Sequence, residues 1–237
     1  MSSAAAVVIV SLGLMFVSYL IGSVNFAILI TRRFAHTDVR EHGSGNAGMT
    51  NVMRTAGKIP GILTLICDFV KGAVPVLLGR FAAVPIASAL SGVDLKLEIN
   101  PLFFAYLGGF FCLIGHIYPL YFQFRGGKGV ASLAGIMLVC DWRVMLIALA
   151  VFIVVMLLSK IVSLSSILAV ITVPFTTYFL YDSTIDYAYT FFGFSQRGAL
   201  TFCAALFTLI LIFTHRSNIV RLVKGEEKKL TLGGKKK

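Results

Sequence analysis

Gly115-His116-Ile117-Tyr118-Pro119-Leu120-Tyr121-Phe122-Gln123-Phe124-Arg125-Gly126-Gly127-Lys128-Gly129-Val130-Ala131-Ser132 places a glycine-rich, basic turn between two apolar runs. Without Cβ atoms at Gly126, Gly127 and Gly129, successive backbone N–H groups can turn inward on one oxyanion, and Lys128 adds a full positive charge. The apolar segment Val130 to Cys140 then presents a helix N-terminus to the same point. It is too short to cross a bilayer, which predicts a short or broken helix of the kind that points at a ligand inside a bundle. The spacing is not that of a Walker P-loop, and a plain tight turn between membrane helices is the competing reading of GGKG.

Outward from this turn the chain has membrane composition. Of 237 residues 58% are hydrophobic and 13% charged, with a mean hydropathy of +0.91. The apolar runs are continuous rather than alternating, which favours helices over strands. They predict an all-α polytopic membrane protein of about seven spans, one of them short, at 5–31, 59–79, 100–119, 129–140, 143–159, 164–181 and 198–214. The first run lacks a basic n-region and exceeds a signal-peptide core, so it is expected to be retained. Cys67, Cys112, Cys140 and Cys203 stand singly in apolar runs, which predicts small buried side chains, with no zinc site, disulfide framework or cofactor.

A formal charge of +11 would suit nucleic acid, but its placement follows the spans. Sixteen of the 21 Lys and Arg residues fall on one side of the predicted spans, against Arg80, Lys96, Arg143 and Arg197 on the other, with Lys71 inside a span. By the positive-inside rule the N-terminus lies outside, the C-terminus in the cytoplasm, and nucleic acid is not a partner. The expected organisation is one transmembrane domain over 1–220 and a basic cytoplasmic tail over 221–237 attracted to anionic headgroups.

Four polar islands then share the cytoplasmic side. The first, Arg32 to Lys58, is richer than a connector needs: Gly43, Gly45 and Gly48 allow close backbone approach to a ligand, and Ser44, Asn46, Thr50 and Asn51 offer short hydrogen-bonding arms. Arg54 can grip a phosphate bidentately. In the second span Asp68 and Lys71 share a helix face, either as an internal ion pair or with Lys71 lending charge to an anion cavity. The second island is the opening stretch, with His116 and Arg125 beside the glycines. Third, Ser163, Ser165 and Ser166 can cap a helix or donate to a phosphate. The fourth is Thr214-His215-Arg216-Ser217-Asn218-Ile219. Arg54, Arg125, Lys128, Lys71 and Arg216 together exceed the needs of one phosphate. Two dianions ~6 Å apart repel by about 10 kcal/mol at an effective dielectric of 20, so several cations are needed to hold two.

The loop GSGNAGMTNVMRTAGK, the DFVKG of the second span, GHIYPLYFQFRGGKGVAS and HRSNI resemble, in order and spacing, the motifs of the bacterial acyl-phosphate:glycerol-3-phosphate acyltransferase family of the PlsY type. Departures are Ala47 and Met49 where the family usually has proline and alanine, Arg125 for lysine, Ser132 for threonine, Asn25 where proline is frequent, and Ser217 where an acid is common. The resemblance implies acyl transfer from a fatty acyl phosphate to the 1-hydroxyl of glycerol 3-phosphate at the bacterial inner membrane, by a monomer. It implies Ser44, Arg54, Lys128, His215 and Asn218 around glycerol 3-phosphate. It also implies Gly126, Gly127, Gly129, Ser165 and Ser166 around the acyl phosphate. A transporter should instead carry its polar groups at mid-membrane on repeated broken helices, and a thioester-dependent acyltransferase a His-x-x-x-x-Asp dyad; the sequence shows neither pattern.

Overall fold

The computed structural model describes residues 1–96, 98–181 and 195–230. Among them the chain is all helical. In order come α1 (Ser3–Ser23), α2 (Phe26–Ala35), α3 (Met49–Ala56), α4 (Lys58–Phe81), α5 (Ala83–Ser91), α6 (Pro101–Ile117), α7 (Val130–Cys140), α8 (Trp142–Ser159), α9 (Val162–Leu180), α10 (Gln196–Thr214) and α11 (Arg216–Val223). Six segments are long and apolar enough to cross a membrane, with α7 as a seventh, shorter apolar helix. This matches the expected span count. The loop at 182–194 and the end of the tail at 231–237 lie outside the described residues.

Glycine decides how closely the central helices meet. Apolar side chains give no drive for association in lipid, so close backbone packing between small residues must supply it. A Cβ on Gly22 of α1 would sit 2.1 Å from the Cys112 carbonyl oxygen of α6, and one on Gly79 of α4 2.2 Å from that of Phe104. Gly72 of α4 and Gly135 of α7 pack in the same manner on Ser132 and Phe69. The core of α1, α4, α6 and α7 is therefore fixed by backbone contact, while α8 rests outside on α9 and turns Leu146, Ile153, Val154, Leu157 and Leu158 outward.

Two helix breaks set the depth of the polar loops. The first span stops at Val24 and restarts at Phe26, capped by Asn25, whose Oδ1 accepts from the Ile28 N–H at 3.2 Å. The Val24 carbonyl that the break sets free accepts from Lys71 Nζ at 2.6 Å. The second break is the turn before α7. Helix α7 begins beside Gly72 of α4 rather than beside Lys58, because Ser132 packs on Gly72 and the Val139 carbonyl accepts from Arg80. Position 72 lies about 20 Å along α4 from Lys58 at 1.5 Å per residue. The end of the turn at 118–129, with Gly127 and Gly129 buried, thus packs against the bundle while Tyr121 and Phe124 stay exposed, and Arg40 and Ala47 of the loop at 36–48 lie against it.

Candidate active site

The loop at 36–48 takes its shape from two side chains. Asn51, at the start of α3 and 1% exposed, donates to the Val39 carbonyl at 2.8 Å and the His42 carbonyl at 2.9 Å, and its Oδ1 accepts from the Ser44 N–H at 3.0 Å. All its amide valences serve the loop, so the expectation that Asn51 binds substrate is corrected: it positions Ser44. Gly43 has φ +64°, and a Cβ there would meet Asn51 Oδ1 at 2.1 Å, so both conformation and space require glycine. Asp38 holds Arg40 through Oδ1 to Nε (3.0 Å) and Oδ2 to Nη2 (2.8 Å), and Arg40 Nη1 donates to the Phe122 carbonyl at 2.8 Å. Ser44 and Arg54 are exposed at this loop and on α3, with Asn46 and Thr50 half-buried beside them.

The glycine-rich turn is held differently. The Gly126 N–H donates to the Ile117 carbonyl at 3.0 Å and the Gly127 N–H to the His116 carbonyl at 3.2 Å. These two N–H groups satisfy carbonyls left open at the end of α6. The expectation that Gly126 and Gly127 turn their N–H groups onto a ligand is therefore corrected. They are glycine for closeness: a Cβ would lie 1.9 Å from the His116 oxygen at Gly126, and 2.4 Å from both the Ala47 oxygen and His116 Nε2 at Gly127. The N–H groups that open the α7 N-terminus, from Gly129 onward, are of the kind that a helix start leaves without an intrahelical acceptor.

Lys128 points away from this packing toward the last two helices. Its ammonium donates to Asn218 Oδ1, and its carbonyl accepts from Thr214 Oγ1 at 3.2 Å. Burial, against the attraction of Glu227, lowers its pKa to about 8. His215 is 3% exposed, and its Nδ1 lies 2.8 Å from the Leu211 carbonyl. A carbonyl only accepts, so Nδ1 carries the proton and Nε2 is left as an acceptor. Burial pushes the His215 pKa down to about 4, so the ring is neutral near pH 7.

Glu227 is the residue that sequence reasoning missed. Its neighbours in the chain read as a solvated tail beginning at residue 221, but α11 continues to Val223 and the chain then folds back, with the Leu230 N–H donating to the Lys160 carbonyl at 2.7 Å. Glu227 accepts from Asn218 Nδ2 at 2.6 Å, Ser163 Oγ at 2.8 Å and Arg221 Nε at 2.6 Å. Burial alone would raise its pKa, and these hydrogen bonds overcome that and hold it below the usual range. By fixing the Asn218 amide, Glu227 turns Oδ1 toward Lys128. An acid next to a run of lysines gives no sign of this, since only the reversal of the chain brings it home.

Other expected residues are engaged by protein groups or lie at the rim. Lys71, 4% exposed, pairs with Asp68 at 3.0 Å and with the Val24 carbonyl, so its charge seals a helix break and the reading of Lys71 as an anion ligand is corrected. His116 Nδ1 sits 3.7 Å from Asp68 and 3.4 Å from Ser132 Oγ, which places its ring under Gly127. Ser165 and Ser166 donate to the Ile161 and Val162 carbonyls, each at 2.9 Å. Arg216 is exposed and lies over the Phe213 ring at 4.6 Å, outside the Lys128 cluster, and Arg125 is exposed at the rim. No group of three or more His, Cys, Asp or Glu suited to a metal occurs among the described residues.

The membrane bundle thus carries two glycine-built loops and a lysine–asparagine–histidine cluster at one end. The family model for glycerol-3-phosphate acyltransferase matches residues 12–225. The glycerol-3-phosphate acyltransferase of Bartonella quintana is 37% identical over 213 residues, covering 90% of this chain and 88% of its own, and that of Idiomarina loihiensis is 36% identical over 211 residues, covering 89% and 91%. The crystal structure of PlsY (YgiH), an integral membrane glycerol 3-phosphate acyltransferase in its glycerol 3-phosphate form, superposes with a TM-score of 0.73 at 31% identity, covering 93% of this chain and 96% of that one. Its lysophosphatidic acid form gives 0.71 at 30% identity. This chain belongs to the glycerol-3-phosphate acyltransferase family, of the PlsY type.

Proposed function

We propose that the chain moves a fatty acyl group from acyl phosphate to the 1-hydroxyl of glycerol 3-phosphate, releasing lysophosphatidic acid and phosphate. The observation that supports this is the meeting of Lys128 with Asn218 beside His215, on a turn to which Arg40 bonds the loop that carries Ser44, with Arg54 on the adjoining α3. Arg54, Ser44, Lys128, His215 and Asn218 take glycerol 3-phosphate. Gly129, the α7 N-terminus, Ser165 and Ser166 take the acyl phosphate, with either serine hydroxyl turning from its helix carbonyl to the ligand, and the acyl chain lies among helices in the bilayer. The excess of cations at this end supports a cytoplasmic face.

An acyl phosphate is a mixed anhydride whose leaving group departs readily, so orientation and charge stabilisation carry most of the rate. The glycerol hydroxyl oxygen attacks the acyl carbon, the bond from that carbon to the phosphate oxygen breaks, and the hydroxyl proton leaves with the phosphate. His215 accepts a hydrogen bond from the hydroxyl through Nε2. With a pKa of about 4 it holds a proton poorly near pH 7, which favours the donor's own phosphate as proton acceptor. Purified protein in lipid, offered acyl phosphate, acyl-CoA and acyl-carrier protein in parallel with labelled glycerol 3-phosphate, tests the donor. Product from acyl phosphate is expected, and product from a thioester alone overturns the assignment.

A further inference from the structure

Arg40 belongs to the first loop by sequence and to the second by contact. Its side chain is 19% exposed and that of Asp38 11%, so this charged pair is largely withdrawn from water at a surface otherwise rich in free cations. Asp38 takes the Nε and Nη2 edge of the guanidinium in the bidentate geometry that fixes both position and plane. It also accepts from the Arg40 N–H at 3.0 Å and from Arg32 at the end of α2 at 3.0 Å, so it is anchored both to its own loop and to α2. What remains of the guanidinium, Nη1, projects across 82 residues of sequence to the Phe122 carbonyl at 2.8 Å and the Arg125 carbonyl at 3.4 Å. Those carbonyls lie immediately before the glycines that lead into Lys128 and α7. The turn around them is intrinsically awkward, since Gln123 and Phe124 both have φ near +60°.

We infer that Asp38 and Arg40 form a clasp that fixes the distance between the two substrate loops, making Arg40 a positioning residue that acts on the acyl donor through the turn at 122–129. This rests on the proposed division of the two phosphates between the loops. A clasp of this kind matters to a two-substrate enzyme more than to its fold. Each loop is braced by its own bonds, through Asn51 in the first and the α6 carbonyls in the second, but only their separation decides whether hydroxyl and acyl carbon meet. Misplacement by about 1 Å costs on the order of 100-fold in rate.

Arg40→Met, Arg40→Lys and Arg54→Met are made in the full chain in lipid. Donor KM and kcat are measured with acyl phosphate, glycerol 3-phosphate binding is measured by calorimetry without donor, and melting is followed by circular dichroism. For Arg40→Met we expect kcat to fall and donor KM to rise, each by about tenfold or more, while glycerol 3-phosphate binds within threefold of the parent at full stoichiometry. Arg40→Lys should recover part of kcat, since an ammonium can reach one carbonyl but cannot be held in plane by Asp38. Donor kinetics within twofold of the parent in Arg40→Met would overturn the clasp, as would a matching loss of glycerol 3-phosphate binding, which would mean the first loop had collapsed. Arg54→Met reads the division of phosphates by itself: a rise in glycerol 3-phosphate KM with donor KM unchanged upholds it, and a rise confined to donor KM removes it whatever Arg40 does.

Discussion

The two glycine-rich loops at the site look alike in sequence and are built by different means. The loop at 36–48 adds side-chain bonds to its own main-chain turns, with Asn51 and Asp38 reaching its carbonyls and N–H groups. The turn at 118–129 is closed within itself by main chain, with Phe124, Arg125, Gly126 and Gly127 N–H groups donating to the Pro119, Phe122, Ile117 and His116 carbonyls, and its side-chain bonds come from other elements, from Arg40, Tyr19 and Ser23. Glycine accordingly means conformation at Gly45, conformation and space together at Gly43, and proximity at Gly126 and Gly127, where backbone and an imidazole press from outside. A glycine-rich stretch is thus two different physical statements, and single substitutions separate them.

The largest expected effect leaves both loops standing. Lys128→Met removes the ammonium that faces Asn218 while keeping its stem, and kcat/KM is expected to fall by about 100- to 1000-fold, as when one preorganised donor is taken from developing charge. Circular dichroism and melting should match the parent. A loss below tenfold would separate the glycine turn from the chemistry.

Next come changes that break one loop at a time. Gly126→Ala forces a methyl to 1.9 Å from a main-chain oxygen that no rotamer can move, at a cost of about 2–3 kcal/mol in stability. Gly45→Ala meets nothing closer than 3.4 Å and carries only the left-handed penalty of about 1 kcal/mol, despite a φ of +70°. Melting in detergent ranks the two, and the reverse order would show that the close approach at Gly126 relaxes and is not what requires glycine there. Asn51→Ala orphans two loop carbonyls and the Ser44 N–H, for about 2 kcal/mol, and is expected to raise the KM for glycerol 3-phosphate more than that for the donor.

Much of this architecture is legible in the chain itself. Continuous apolar runs bounded by cations mark the helices, and the truncated run at Val130 marks the short one. Asn25, out of place inside a span, proves to be the cap of a break. What the chain conceals is how a polar group is used. Asn51 and Lys71 have the chemistry of ligands, yet one props a loop and the other seals the Val24 carbonyl, because an unmet backbone group in a membrane core needs a donor more urgently than a substrate does. Glu227 is hidden for a different reason: a reversal after Gly225 places it beside Asn218, and local sequence does not encode that long-range meeting.

The smallest effect bears on whether Lys128 serves the site as a charge. Its pKa of about 8 lies below the ordinary lysine value, so the ammonium is intact below pH 8 and is lost as pH rises through that value. The kcat/KM for glycerol 3-phosphate should therefore be flat near pH 7 and about tenfold lower at pH 9. No acid limb from His215 is expected until about pH 4, because that ring is already neutral. Glu227 attracts the Lys128 charge and Arg221 repels it, so Glu227→Gln, which can still accept from Asn218, removes only the attraction. The basic limb should then move to lower pH while the plateau stays within a few-fold. A limb that does not move would assign the titration to another group.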